Sequence, residues 1–428
     1  MASKRVLIIS VGSSCAPVVN ACREYDPDYI YFFCSGGPKG STVTVDGPGD
    51  PCGESRKVQC ECGKMVPLGN PNGKAIVYQL GLEKECYEKI EVDEPDDLKG
   101  CFDALSVVEK KIAERFGDEV EVIANYTGGT KSMSAALVLK AIQNEDWKLS
   151  LNKGIRKDLI KVHCGDVPVL EDKLGIYLDY YIDQIKIFLQ RHDYSAADNT
   201  LSEITKKHSL PSDEQRRVLR ARRLCQAFHA WDLFNHEAAL EMLRIVGGES
   251  VSKYILALVA ITKENGGYEQ VQDLILNAER RAVQERYDDA VARLYRAVEM
   301  VAQVRLQSEW GIDVSNVQLY LIPHELQEKY KELQNTDGRI QLALRKSYEL
   351  LVDLDDPVGT VWQDNVNRVL SALNKRNASI LAHGTVSLNK RDYDQVREDL
   401  VGFINKVFEL LQVKTHGLQF PEEKLLEM

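Results

Sequence analysis

Arg5–Val11 (RVLIISV) and Tyr29–Cys34 (YIYFFC) are unbroken apolar runs, each too short for a core helix. A run of that length with no polar alternation fits a strand covered on both faces, as in a mostly parallel sheet. Ala75–Leu80 (AIVYQL) and Val120–Ala124 (VEVIA) read as further strands, and Leu159–His163 (LIKVH) as a late one. Between them, Asp97–Phe116 and Ser132–Asn144 have helical spacing. Strand and helix in alternation predict an open α/β sheet domain over residues 1–170, covered on both faces. Residues 35–74 interrupt it with SGGPKGS, DGPGDPCG and PLGNPNG, a Gly/Pro/Cys-rich inserted loop or small hairpin.

Beyond about residue 172 the pattern is helical throughout. Asp172–Arg191, Ala196–Lys207, Asp213–Phe234, Glu237–Ile245 and Ser252–Lys263 are successive helical segments, with a weak hint of a repeat-like stack. Asn265-Gly266-Gly267 marks a boundary, giving a helical region at 171–266 and a second helical group at 267–428. That group opens with one helix over Gln270–Leu306, carrying Val291, Leu294, Val298 and Val301, and ends with Tyr393–Leu411.

The N-terminal apolar run ends in glycine without a cleavage site and reads as a core strand rather than a signal peptide. No stretch of 18 apolar residues suggests a membrane span. Ten cysteines in 428 residues are too few for a disulfide scaffold, so reduced thiols in a cytoplasm are expected. Cys52, Cys60 and Cys62, with Cys34 upstream, invite a zinc reading of the insertion. Their C-x7-C-x-C spacing is not the paired CxxC knuckle, and loose reduced cysteines are preferred, with no metal assigned. A net charge of −11 excludes general attraction to nucleic acid, so any RNA contact needs a local basic site.

Two loops carry phosphate-binding character. Asn125-Tyr126-Thr127-Gly128-Gly129-Thr130-Lys131 lies between a strand and a helix, and Gly12-Ser13-Ser14 follows the first strand. Ligands of α/β sheets bind beyond the carboxyl ends of strands, where glycines admit close approach and helix N–H groups suit an anion. Thr127, Thr130 and Lys131 would add hydroxyls and a positive charge. Tight strand-to-helix turns without a ligand remain the alternative. The spacing matches neither a Walker A loop nor a GxGxxG fingerprint.

The strand followed by N-x-T-G-G-T-K-x-M, Asn125 to Met133, resembles the signature of the CRISPR-associated Rossmann-fold (CARF) domain, over residues 1–170 outside the insertion. That resemblance implies a Rossmann-like fold and binding of a cyclic oligoadenylate second messenger across a dimer interface. Gly12, Ser13, Ser14, Thr127, Gly128, Gly129, Thr130 and Lys131 would line it.

RNA carries its own nucleophile, the 2′-hydroxyl, so cutting it needs a proton-transfer group and a cation for the phosphate. Lys375 to Gly384 supplies Arg376, Asn377 and His383. Arg376 and His383 are seven residues apart, about 10 Å along a helix, so two copies meeting at a two-fold axis would build a better site. Arg156/His163 and Arg222/His229 share that spacing. The former ends an apolar strand and the latter sits in an amphipathic helix, so both read as structural. Arg376 differs because an interruption at Asn374-Lys375 precedes it and Gly384 closes a short element with polar ends.

The all-helical context and R-N-x5-H resemble the HEPN ribonuclease fold over about 267–428. The combination resembles the CARF–HEPN ribonucleases of type III CRISPR systems. It implies a homodimeric, cytoplasmic, metal-independent endoribonuclease that takes single-stranded RNA and needs no cofactor beyond its cyclic oligoadenylate activator. Arg376, Asn377 and His383 would be its catalytic residues. A ligand-controlled regulator with a non-catalytic helical half is the competing reading. The Arg216–Arg223 cluster reads as a solvated face paired with Asp213 and Glu214 in preference to an RNA guide, while Arg293, Arg296 and Glu299 fit either support of the ribonuclease site or pairing on the helix surface.

Overall fold

A computed structural model describes residues 4–37, 40–53, 57–59, 65–67, 73–117, 119–154, 166–263, 267–377 and 385–428. The chain forms two compact units, residues 1–176 and 177–428.

The first unit contains, in order, β1 (Lys4–Ser10), α1 (Cys15–Tyr25), β2 (Tyr29–Ser35), α2 (Thr42–Asp46), β3 (Lys57–Gln59), β4 (Met65–Pro67), α3 (Ile76–Leu80), β5 (Tyr87–Val92), α4 (Leu98–Phe116), β6 (Val120–Asn125), α5 (Lys131–Gln143), β7 (Lys148–Lys153) and β8 (Val167–Glu171). Six strands make one sheet in the order β5-β2-β1-β6-β7-β8, parallel except for β8, and β3 pairs with β4 as a separate hairpin. Leu7 and Ile9 of β1 bury against α1 and α3, while Val6 and Ile8 face α4 and α5. Burial on both faces is why β1 and β2 are apolar without alternation.

Two expectations need correction here, and a third falls outside the described residues. Ala75–Leu80 is no strand: Ile76–Leu80 is a short helix that buries Ile76 and Val77, leaves Tyr78 63% exposed, and ends at Gly81 with φ +65°. The strand beside β2 is instead β5, whose Glu88, Lys89 and Glu91 dilute its apolar signal because it is an edge. The late strand expected at Leu159–His163 lies outside the described residues, as does Arg156; β7 and β8 lie on either side. Nor are all thiols reduced. A backbone bond from Cys52 N to Gly73 O (2.8 Å) closes the loop that brings Cys52 to the first residue of α1, and Cys15 and Cys52 form a disulfide (Cα–Cα 5.8 Å). Cys52 therefore has no thiolate for zinc, and Cys60 and Cys62 lie outside the described residues. Cys22 and Cys34 are free and buried, their thiols pushed up to about 12 by burial.

The second unit is helical: α6 (Leu174–Gln190, which begins in the first unit), α7 (Tyr194–Lys207), α8 (Ser212–Asp232), α9 (His236–Val246), α10 (Glu249–Ile261), α11 (Tyr268–Val283), α12 (Tyr287–Trp310), α13 (His324–Lys331), α14 (Leu344–Asp353), α15 (Pro357–Asn377) and α16 (Lys390–Leu410). One core joins α6–α10 with Phe420 and Leu425 of the C-terminal segment, and a second joins α11–α16. The single helix expected at Gln270–Leu306 is two, because Glu285 turns left-handed (φ +61°) and Arg286 N returns to Arg281 O. The same turn recurs at His192, Phe234 and Asp355, each a non-glycine residue with positive φ between successive helices. No glycine marks these breaks, so the apolar periodicity runs through them unannounced. Among the described residues, no helix is long and apolar enough to cross a membrane.

Candidate functional site

In the sheet, β1 lies between β2 and β6. The chain leaves β1 for α1 on one face and leaves β6 for α5 on the other, so strand order reverses between them. A crevice opens at such a point beyond the strand ends, where both following helices present their N-termini. The two expected loops meet there backbone to backbone. A Cβ on Gly128 would stand 2.5 Å from Ser10 O and 2.8 Å from Gly12 N, and one on Gly12 would stand 2.9 Å from Gly129 N. Gly129 adopts φ +83°. These glycines are needed for loop-against-loop packing before any ligand is considered.

The hydroxyls divide into engaged and open ones. Thr127 Oγ1 donates to Asn152 Oδ1 (3.1 Å) and accepts from Asn152 N (2.8 Å). Thr130 Oγ1 donates to Pro95 O and caps α5 by accepting from Met133 N (3.3 Å). Neither side chain serves as the open hydroxyl donor expected of it. Ser14 is the N-cap residue of α1 but makes no side-chain cap bond, and Ser13 and Lys131 are exposed. Those three, with the loop backbone, supply the open polar groups at the crevice.

Beneath the loops lies a buried polar network that motif reading passed over. Asn125 Nδ2 donates to Ser150 Oγ and Asn152 Oδ1, both at 2.9 Å, while its Oδ1 accepts from Thr127 N (3.1 Å). Asn152 and Asn20 both donate to Asp166, at 2.6 Å. Tyr25 OH meets Ser150 Oγ at 2.7 Å. Burial raises the Tyr25 hydroxyl above its usual value, with the Ser150 bond opposing. The signal available in sequence was KLSLNK, where Ser150 and Asn152 alternate with Leu149 and Leu151.

In the helical unit, α15 buries Val358, Trp362, Val369, Ala372 and Leu373, with Trp362 stacked on Tyr348 (centroids 4.2 Å apart). The helix runs unbroken to Asn377, so the interruption expected at Asn374-Lys375 is absent. Both residues point away from the core, where polar side chains cost nothing. Arg376 sits on the last turn. Its guanidinium carbon lies 4.8 Å from the centroid of the Tyr295 ring on α12, and its Nη1 donates to Asn377 Oδ1 (3.3 Å). Its Nε is buried without a hydrogen-bond partner among the described residues. Lys375 Nζ faces Asp392 Oδ1 at 3.8 Å across to α16, whose start is fixed by a capping box of Asn389 and Asp392. His383 lies outside the described residues, as does His163. Arg222 is tied to Asp198 (2.9 Å), Arg296 to Glu299 (2.7 Å) and Arg293 to Asp289 (3.2 Å).

No curated protein matches the chain in sequence. Residues 260–407 match the family model described as Csm6 HEPN domain. Among solved structures, Enterococcus italicus Csm6 bound to cyclic hexa-2′-fluoro-hexa-dAMP superposes with a TM-score of 0.62 at 14% identity. The match covers 99% of this chain and 98% of that one. Residues 260–407 therefore resemble a Csm6 HEPN domain, and the chain has the fold of Csm6 along nearly its whole length.

Proposed function

We propose that this protein is an endoribonuclease of type III CRISPR defence, switched on by a cyclic oligoadenylate and needing no metal. The reading is carried by one conjunction: a Csm6 HEPN domain in the same chain as a sheet whose two glycine-packed loops meet at its switch point. Residues 1–170 form the sensor, 171–266 a connecting helical region and 267–428 the ribonuclease domain. Gly12, Ser13, Ser14, Gly128, Gly129 and Lys131 contact the phosphates, while Thr127 and Thr130 hold the loops in shape. The activator is a cyclic oligoadenylate, the ligand class in the superposed Csm6 complex.

The chain acts as a homodimer. Activator binding favours the state in which two Arg376/His383 pairs face one phosphate of single-stranded RNA. The 2′-hydroxyl attacks the adjacent phosphorus and the 5′-oxygen leaves. His383 carries the proton, Arg376 stabilises the charge gathering on the phosphate oxygens, and Asn377 orients Arg376. The products are a 2′,3′-cyclic phosphate and a 5′-hydroxyl.

The test is cleavage of a fluorophore-quenched RNA in EDTA, with cyclic tetra- or hexa-adenylate. Cleavage with one ring only, lost in His383→Ala, is the expected result. Tight binding of a ring with no cleavage would make the protein a regulator instead.

A further inference from the structure

Many arginines of the helical unit pair with carboxylates. Arg280 Nε lies 2.8 Å from Asp232, Arg305 Nε 2.9 Å from Asp356, and Arg368 Nη2 3.0 Å from Glu398; Arg397 pairs with Glu279. Arg376 is different. Among the described residues no carboxylate pairs with it, its Nε is buried without a partner, and its one hydrogen bond is to the neutral amide of Asn377. What it rests against is the ring of Tyr295. Tyr295 follows Leu294 on α12, one position past the buried stripe of Leu294, Val298 and Val301, which leaves it half-buried at the edge of the core.

A carboxylate would hold a guanidinium in place but would cancel its charge, and an incoming phosphate would have to displace it. An aromatic face attracts the cation through its quadrupole while leaving the N–H donors and the full charge available. We infer that Tyr295 is a positioning residue for Arg376: a cation–π platform that orients the guanidinium toward the scissile phosphate without neutralising it. This rests on the ribonuclease reading of Arg376. Phenylalanine offers the same face, whereas leucine fills similar space and has no quadrupole.

The test compares Tyr295→Phe, Tyr295→Leu and Arg376→Ala in the full chain, with quenched RNA and whichever cyclic adenylate supports wild-type cleavage. Arg376→Ala should abolish cleavage. Tyr295→Phe should keep kcat within about twofold. Tyr295→Leu should lower kcat about tenfold, equivalent to about 1.4 kcal/mol, with KM unchanged. An active Arg376→Ala protein would sink the catalytic reading of Arg376 on which this inference rests. An inactive Arg376→Ala beside a fully active Tyr295→Leu, or equal losses in Phe and Leu, would overturn the platform alone. Should the leucine protein not fold, phenylalanines of increasing fluorination at 295 weaken the quadrupole at nearly constant shape. Log kcat should then fall with each fluorine, and a flat series would refute the proposal. Independently of turnover, ring current should shift the Arg376 Nε–H resonance upfield in wild type and Tyr295→Phe. An equally shifted resonance in Tyr295→Leu would refute it.

Discussion

Acidification from pH 7 to pH 5 should weaken the helical unit by about 2 kcal/mol through a single residue, His192. This histidine turns the chain between α6 and α7, with φ +53° and only 4% of its surface exposed. Its Nδ1 lies 3.2 Å from Tyr194 Oη, and the Tyr194 hydroxyl donates to Pro421 O at 2.7 Å. The phenol proton is therefore engaged, so Nδ1–H is the donor of the 3.2 Å bond and Nε2 holds the lone pair. A second proton on Nε2 would place a buried cation near Arg280 and Arg281. Burial first, then those two guanidiniums, pull the imidazole down to about 4. In the unfolded chain it titrates near the ordinary 6.5. Between those values the unfolded state takes a proton that the folded state refuses, so stability is full above pH 6.5 and lost as pH falls toward 4. The loss from pH 7 to 5 corresponds to about 4–8 °C in the transition of a unit this size. His192→Asn is the comparison, because asparagine tolerates the left-handed backbone and keeps a donor toward Tyr194. Carboxylates held low by partners, such as Glu349 beside Lys346, act below pH 4.5 and cancel between the two proteins. Denaturation midpoints at pH 7 and 5 should converge as the wild type loses its extra increment. Parallel curves for wild type and His192→Asn would refute the assignment of the acid response to this ring.

Two further outcomes concern the sheet unit. Gly128→Ala places a methyl 2.5 Å from Ser10 O, and since both neighbours are backbone the loops must part, costing about 1–3 kcal/mol. Titration calorimetry should show cyclic oligoadenylate affinity down at least about tenfold; unchanged affinity would mean that loop fit does not set the binding geometry. Reducing Cys15–Cys52 opens a crosslink spanning 37 residues, which the chain-entropy estimate values at about 3–4 kcal/mol. Dithiothreitol should lower the unfolding midpoint of the wild type and leave Cys15→Ser unaffected, and equal responses in the two would contradict this.

The parts of the fold legible in sequence are those whose residues have one dominant task. β1, β2 and β6 are buried on both faces, so their apolar runs could be little else, and α4 and α5 follow from their stripes and the Asp97 and Thr130 caps. Strands with mixed duties escaped. β5 is an edge, and β7 carries Ser150 and Asn152 on one face for the buried network, so neither looks like a core strand. The break between α11 and α12 was invisible for a different reason. A glycine would have announced the left-handed turn, but Glu285 occupies it.

The candidate site shows the same limit at the level of single groups. Residue type tells what a side chain can do, and its partners decide what capacity is left. Thr127 and Thr130 have the hydroxyls a phosphate site wants, yet Asn152, Pro95 and the first turn of α5 already engage them. Ser13, Ser14 and Lys131, no more suggestive in a string of letters, are the ones left open. The arginines divide the same way. In the proposed ribonuclease, a chain of net charge −11 could still meet a polyanion where a cation such as Arg376 has no carboxylate partner among the described residues and rests on an aromatic ring. Local charge left unpaired, rather than net charge, is therefore the quantity that decides whether an acidic protein can act on RNA.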